Sequence, residues 1–305
     1  MKSIQLIINP HSGYGTQAEL LPDLREALQE GGWAPSEYVT TGPGDATVFA
    51  RRLPRETAAV MVVGGDGTVN EVANGLVGTG IPMLMCPVGT ENLLAKELRI
   101  PANPRRLVEI LNHKRIVNAD VGTINGRIFL SIIGVGFDGE VVRRISRIRT
   151  GHISHLSYFW PIWRTFWEHD FPRLRVIVDG QEVFNDLGLA FVGNISRYAV
   201  GLRICREARF DDGMLDLVVF GCREQSRLLL HAAWTLLRLH PLKGNVVYRQ
   251  FRHLRIESPD LVLSQQDGDV GPDLPIEVEV LPGQLRLYVP PPQRNSFWPW
   301  MRVPV

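Results

Sequence analysis

The stretch Ala58-Ala59-Val60-Met61-Val62-Val63-Gly64-Gly65-Asp66-Gly67-Thr68, continued by Val69-Asn70-Glu71-Val72-Ala73-Asn74, decides how this chain folds. Six apolar residues without alternation read as a strand buried on both faces. The glycines behind it let the backbone approach a polyanion, and the helix that starts there directs unsatisfied N–H groups at it. Strand, glycine turn and helix N-terminus together form a phosphate cradle. Asp66 sits inside it, where a bare phosphate would be repelled. A divalent cation between carboxylate and phosphate removes the conflict, so the pattern points to a metal–nucleotide complex.

The same punctuation recurs on both sides. Asn9-Pro10-His11-Ser12-Gly13-Tyr14-Gly15 follows the apolar run from Ile4 to Ile8, and Pro87-Val88-Gly89-Thr90-Glu91-Asn92 follows Pro82 to Cys86. Helical patterns run from about Gln17 to Glu30, Asp45 to Leu53, Val69 to Val77, Asn92 to Leu98 and Pro104 to Leu111. This βαβα order predicts a three-layer α/β domain over residues 1–121, with a mostly parallel sheet and its ligand crevice at the strand ends. Beyond it, strand signals dominate: Arg127 to Ile133, Arg173 to Val178, Leu187 to Val192, Met214 to Phe220, Leu254 to Glu257, Leu261 to Gln265, Ile276 to Leu281 and Leu285 to Val289. Turn residues separate them, so residues 122–290 read as an all-β sandwich interrupted by a helix from Arg227 to Leu239. The tail 291–305 is expected to fold back onto the first domain or to stay loose.

A chain of 305 residues has room for two such domains, and a net charge of +1 gives no general attraction to nucleic acid. Cys86, Cys205 and Cys222 are far apart and form no CxxC pair, which fits free thiols in a reducing cytoplasm and no zinc site. No apolar run approaches bilayer-spanning length and no charged-then-apolar leader opens the sequence. A cytoplasmic protein, either soluble or peripheral on the inner face of the membrane, is expected. Gly134, Gly136 and Gly139 spell a GxGxxG, but no βαβ continuation with a suitably placed acidic residue follows it.

The ordered set Asn9-Pro10 with Ser12-Gly13, Gly64 to Thr68 with Asn70-Glu71, Pro87 with Gly89-Thr90 and Asn92, Gly134-Val135-Gly136-Phe137-Asp138, Asp212-Gly213-Met214-Leu215-Asp216 and Asp267-Gly268 resembles the diacylglycerol kinase catalytic family. These bacterial lipid kinases share a core with sphingosine and ceramide kinases. The resemblance implies an ATP-binding α/β domain, a β-sandwich that receives the lipid, and transfer of the γ-phosphoryl group to a primary hydroxyl of diacylglycerol or a related glycerolipid. It implies ATP contacts from Asn9, Pro10, His11, Ser12, Gly13, Thr40, Thr41, Gly64, Gly65, Asp66, Gly67, Thr68, Asn70, Glu71, Gly89 and Thr90. Asp66 and Asp120 resemble the carboxylates that position Mg²⁺. Asp212, with the carbonyls of Arg209 and Met214, resembles a second, structural metal site.

The family's glutamate after Asp-Gly corresponds to Asp269, expected as the base that takes the acceptor's proton, alongside Asp66 in the reacting centre. Leu93 stands where the family commonly has aspartate. Three other readings stay open: a sphingoid-type lipid kinase, a soluble metabolite kinase of the NAD kinase type, and a nucleotide- or lipid-binding regulator descended from such kinases. The NAD kinase reading lacks an Asn-x-Gly-x-Leu-Gly-Phe-Leu stretch in the second half. The partner expected is a lipid substrate at a membrane surface, with a homodimer left open. Arg143-Arg144-Ile145-Ser146-Arg147-Ile148-Arg149, followed by Tyr158-Phe159-Trp160, Trp163 and Phe166-Trp167, with Phe297-Trp298-Pro299-Trp300 at the C-terminus, is read as a region that docks on anionic lipid. The helical spacing of Trp160, Trp163 and Trp167 equally fits core or interdomain packing.

Overall fold

In the computed structural model, which describes residues 2–13, 16–148, 155–237, 239–240 and 244–292, the chain opens as a βα alternation. Strands β1 (Lys2–Ile8), β2 (Trp33–Val39), β3 (Val60–Gly64) and β4 (Met83–Pro87) alternate with helices α1 (Thr16–Glu30), α2 (Asp45–Arg51), α3 (Asp66–Leu76), α4 (Leu93–Glu97) and α5 (Pro104–His113). The strands pair in parallel in the order β2-β1-β3-β4. Every residue of β3 is buried, as a run of Val and Met without alternation requires. Asn103 caps α5 by accepting from the Arg106 amide at 3.1 Å, and Pro104 occupies its first turn. Leu107, Val108, Ile110 and Leu111 then face the core.

The second half closes as a sandwich. One layer runs β9-β8-β12-β15-β5-β6 through β9 (Gln181–Gly193), β8 (Arg173–Val178), β12 (His253–Glu257), β15 (Ile276–Tyr288), β5 (Ile116–Ile124) and β6 (Arg127–Phe129). The other contains β14 (Asp269–Val270), β13 (Ser264–Gln266), β7 (Ile132–Val135), β9 again, β10 (Leu215–Gly221) and β11 (Val246–Phe251). The first half of β9 belongs to one layer and its second half to the other. Alternation along β10 shows the packing directly. Leu215, Leu217 and Val219 point into the core between the layers, while Val218 and Phe220 point to the outer face. Helices α6 (Phe137–Ile148), α7 (His155–Glu168) and α8 (Gln225–Leu236) complete this half.

Several segments differ from the sequence expectation. Arg127 to Ile133 is two strands, because the amides of Leu130, Ser131 and Ile132 turn to the Asp267 carboxylate. Ile276 to Val289 is essentially one strand, because Pro282 and Gly283 make a bulge between Leu281 and Leu285 where a turn was expected. β5 and β11 carry weaker patterns and were not anticipated. β5 runs straight through residue 121: Val121 packs into the first core and Ile124 into the second. Its antiparallel partner β15 does the same in reverse, with Val280 in the second core and Leu285 in the first, and then touches β4 in parallel at Leu287–Met83. The tail reading, with Phe297, Trp298 and Trp300, lies outside the described residues, as does Arg149.

Candidate functional site

Three loops converge at the ends of β1, β3 and β4. Asn9 continues β1 by donating its amide to the Val63 carbonyl at 3.0 Å, and its side-chain amide donates to Thr68 Oγ1 at 2.8 Å. Its own carbonyl oxygen Oδ1 accepts from the His11 amide at 3.0 Å. Ser12 Oγ lies 3.4 Å from Thr68 Oγ1 and accepts from the Gly65 amide at 3.3 Å. The loops after β3 and β4 touch backbone to backbone. A Cβ on Gly89 would lie 2.5 Å from Gly65 Cα, and one on Gly64 would meet Thr68 Cβ at 2.6 Å. A Cβ on Gly67 would meet nothing within 4 Å. Glycine is therefore required sterically at 64 and 89, while Gly67 borders open space.

Thr40 and Thr41 follow β2 beside this crevice. The Thr40 amide donates to the Ile8 carbonyl at 2.8 Å, and Asp45 Oδ2 accepts from the Thr41 amide and hydroxyl at 2.8 and 3.0 Å. Glu71 Oε1 accepts from the Gly44 amide at 2.9 Å, which fastens that loop to α3. Asn9, Ser12, Gly64, Gly65, Thr68 and Gly89 are thus joined by direct contacts, and Thr40, Thr41 and Glu71 frame them. Pro10 and His11 are exposed beside the loops, and Gly13 adopts φ +72°.

Asp66 opens α3, and its Oδ1 accepts from the Leu93 amide at 2.7 Å. Asn92 makes this bond available. It adopts φ +51°, and its side chain closes on Gly89 by accepting from that amide at 3.0 Å and donating to that carbonyl at 2.7 Å. Burial pushes the Asp66 carboxyl up to about 6 against the downward pull of the Leu93 amide, and the charges of Asp267 and Glu91 add to the rise. Glu91 therefore contributes to the field at Asp66, although it also pairs with Lys96 at 3.5 Å. Concentrated negative charge of this kind is what a bound cation relieves.

No group of three or more His, Cys, Asp or Glu side chains fit to hold a metal occurs among the described residues. One or two carboxylates completed by substrate phosphates and water is the usual donor set of Mg²⁺, and Asp66 fits it. Asp120 does not share this position. Its carboxylate accepts from the amides of Gly213 at 2.6 Å and Gly283 at 2.7 Å, and burial together with Asp211 raises its pKa. The structure thus places Asp120 with the Asp212-Gly213 turn. There Asp212 Oδ1 accepts from the Met214 amide at 3.1 Å, and Arg209 pairs with Asp211 at 3.4 Å.

The two halves meet at Asp267. Its Oδ1 accepts from Ser131 and Ile132 amides at 2.8 and 3.0 Å; its Oδ2 accepts from the Leu130 amide at 2.7 Å and from Asn70 Nδ2 at 2.6 Å. Asp267 and Gly268 both adopt positive φ, at +50° and +88°, and two residues on Asp269 is exposed on β14. Asp267 and Asn92 stood in the quoted motifs without an assigned role; the Asp-Gly pair and an asparagine before a helix were the signals for them.

The profile described as the diacylglycerol kinase catalytic domain matches residues 3–124, and the YegS C-terminal NAD kinase beta sandwich-like domain matches residues 131–289. A diacylglycerol kinase of Mycobacterium tuberculosis (strain ATCC 25618 / H37Rv) is 30% identical over 295 residues, covering 94% of this chain and 95% of the relative. This chain belongs to the diacylglycerol kinase family. A diacylglycerol kinase of Staphylococcus carnosus (strain TM300) is 26% identical over 301 residues, covering 97% of each chain. A crystal structure of a diacylglycerol kinase from Bacillus anthracis str. Sterne, 22% identical, shares the fold with a TM-score of 0.72 over 95% of this chain and 97% of that one. Like its family, this diacylglycerol kinase relative is a nucleotide-dependent kinase of the lipid kinase type. No helix among its described residues is long and apolar enough to cross a membrane.

Proposed function

We propose that the protein transfers the γ-phosphoryl group of ATP to a primary hydroxyl of a membrane lipid, diacylglycerol or a related glycerolipid. The observation that carries this reading is the 2.6 Å bond from Asn70 to Asp267. It ties the helix of the glycine cradle to the turn that bears Asp269, so a nucleotide on one side and an acceptor on the other share one cleft.

The amides and hydroxyls of the loops at Asn9 to Gly13, Gly64 to Thr68 and Gly89-Thr90 orient the phosphates, and the rigid contacts among them mean little reorganisation accompanies transfer. Asp66 would hold Mg²⁺, which would supply neutralisation of charge on the phosphoryl oxygens. Asp269 takes the hydroxyl proton as the new phosphorus–oxygen bond forms and the bond to the departing ADP breaks. Its exposure on β14 leaves it accessible to an incoming alcohol.

The test is incubation of the purified protein with labelled ATP, Mg²⁺ and a mixed lipid extract. Label in the organic phase supports the proposal. Label only in a water-soluble product points to a metabolite kinase, and no labelled product to a binding regulator.

A further inference from the structure

Helices α7 and α8 are inside out. Among the described side chains of α7 the buried ones are Thr165 and Phe166, followed by His169 one residue past the helix end, and the Thr165 hydroxyl has no hydrogen-bond partner among the described residues. Its outward stripe is Trp160, Trp163 and Trp167 at i, i+3 and i+7, with Trp160 66% and Trp167 59% exposed. On α8 the buried residues are His231 and Thr235, whereas Leu229, Leu230, Leu236 and Leu237 face outward, Leu236 at 71%. A surface helix of a globular protein puts its apolar stripe inward. Here the stripe points away from the core on two helices at once. The helices are joined: Gln225 at the start of α8 donates to the His169 carbonyl at 3.2 Å.

Their charge identifies what covers them. The single carboxylate of α7 is Glu168 at its last position, and after Glu224 the next in the sequence is Glu257. Arg164 is paired with Glu168 and Arg227 lies on α8 among exposed leucines, so the combined face is apolar with only a small positive excess, suited to acyl chains beneath phosphate headgroups. The face is linked to the candidate site through α6. α7 packs on α6, and α6 packs on β13 and β14, which carries Asp269.

Two of the three arginines of α6 are already engaged, while Arg147 is exposed. Arg143 pairs with Asp273 at 2.6 Å, and Arg144 with Glu168 at 2.7 Å, where Arg164 also binds. We infer that the outward faces of α7 and α8 form a bilayer-docking surface that binds by inserting Trp and Leu side chains, with attraction to anionic headgroups a minor contribution. The choice of a bilayer as occupant rests on the lipid-acceptor reading above.

The test is co-sedimentation of the full chain with phosphatidylcholine vesicles at low and high salt. Wild type binds neutral vesicles, and raising the salt changes its affinity by less than about threefold. Trp160→Ser with Trp167→Ser, and separately Leu229→Ser with Leu236→Ser, weaken binding by roughly tenfold or more, while the distant Val48→Ser binds as wild type. Both double variants keep wild-type turnover on a short-chain diacylglycerol dissolved as monomers and lose it on vesicles. Equal vesicle binding by all variants overturns the inference, as does wild-type binding that needs anionic lipid and disappears in salt. It also fails if sedimentation velocity shows these positions holding two copies together, or if vesicle binding requires removal of residues 293–305. A wild type that binds neutral vesicles but phosphorylates neither lipid form would defeat the lipid-acceptor reading and leave the docking surface standing.

Discussion

The Leu93 amide donates to the Asp66 carboxylate at 2.7 Å, so an apolar side chain occupies the position while the backbone makes the polar contact. This bond depends on Asn92 holding φ +51°, and it is indifferent to the side chain that follows. Replacing Asn92 with a β-branched residue should break it, since such residues tolerate the left-handed region poorly. Asn92→Val is expected to weaken nucleotide binding by about tenfold or more, measured by calorimetry, whereas Leu93→Met is expected to leave it near wild type.

Gly89→Ala forces the loops after β3 and β4 apart, because the new methyl carbon would stand 2.5 Å from Gly65 Cα. The nearest atom is backbone, and the next is Asn92 Oδ1 at 2.9 Å, so the backbone itself must move and the Asn92 clasp on Gly89 is crowded as well. The expected result is a loss of nucleotide affinity with a fold that still unfolds cooperatively. Gly67→Ala, which enters open space, should be milder.

Removing the Asp269 carboxylate as Asp269→Asn is expected to lower lipid phosphorylation by roughly 10²–10⁴-fold while nucleotide affinity stays close to wild type. Asp269→Glu extends the same group by one methylene and should retain substantial turnover. A rate in Asp269→Asn equal to wild type would remove this residue from the chemistry.

Asn70→Ala deletes one of four donors to the half-buried Asp267 carboxylate and is expected to cost about 1–3 kcal/mol. Asn70→Asp should cost more, because it sets a second negative charge against the first. Urea unfolding reads both. The variants should also reduce kcat, since the same bond ties the cradle helix to the turn carrying Asp269.

His231 and His240 give the stability a sign on the acid side. Their Nε2 atoms donate to the carbonyls of Gly221 at 3.1 Å and Ile204 at 2.7 Å, and both rings lie against Phe220. Burial lowers both pKa values, helped by Arg227 at His231 and by Arg206 and His231 at His240, while the carbonyl bonds oppose the shift. The unfolded chain takes up protons at these groups near pH 6.5 and the native one only at lower pH. Their contribution is therefore complete above about pH 6.5 and is lost as pH falls below it. His231→Gln combined with His240→Gln should flatten that limb of a stability–pH curve.

Much of the first half was legible because its signals are local. A buried strand, a glycine turn and a helix start occupy consecutive residues, as at Val60 to Leu76, and the loops at Asn9 and Gly89 repeat the arrangement. The rest depends on partners far away in sequence. Nothing near Leu130 announces that its amide will serve Asp267 instead of a neighbouring strand, and Pro282-Gly283 has the same composition whether it turns the chain or merely bulges it. Asp120 illustrates the limit for the site. Its residue type fits either metal position, and only the amides of Gly213 and Gly283 show which neighbourhood it occupies. The outward tryptophans of α7 have the spacing of packing residues, and the sequence carries no sign of which side of the helix faces water.

Because β5 runs unbroken through both cores and β15 crosses beside it with only the bulge at Pro282-Gly283, paired strands rather than a loop join the two halves. Severing the polypeptide at residue 121 would leave a half-strand on either fragment, each deprived of the partner that completes its ladder, so neither piece should survive alone. Genetic tags, split reporters and grafted sensors belong at other positions, and any opening of the cleft must come from elastic bending of these two ribbons.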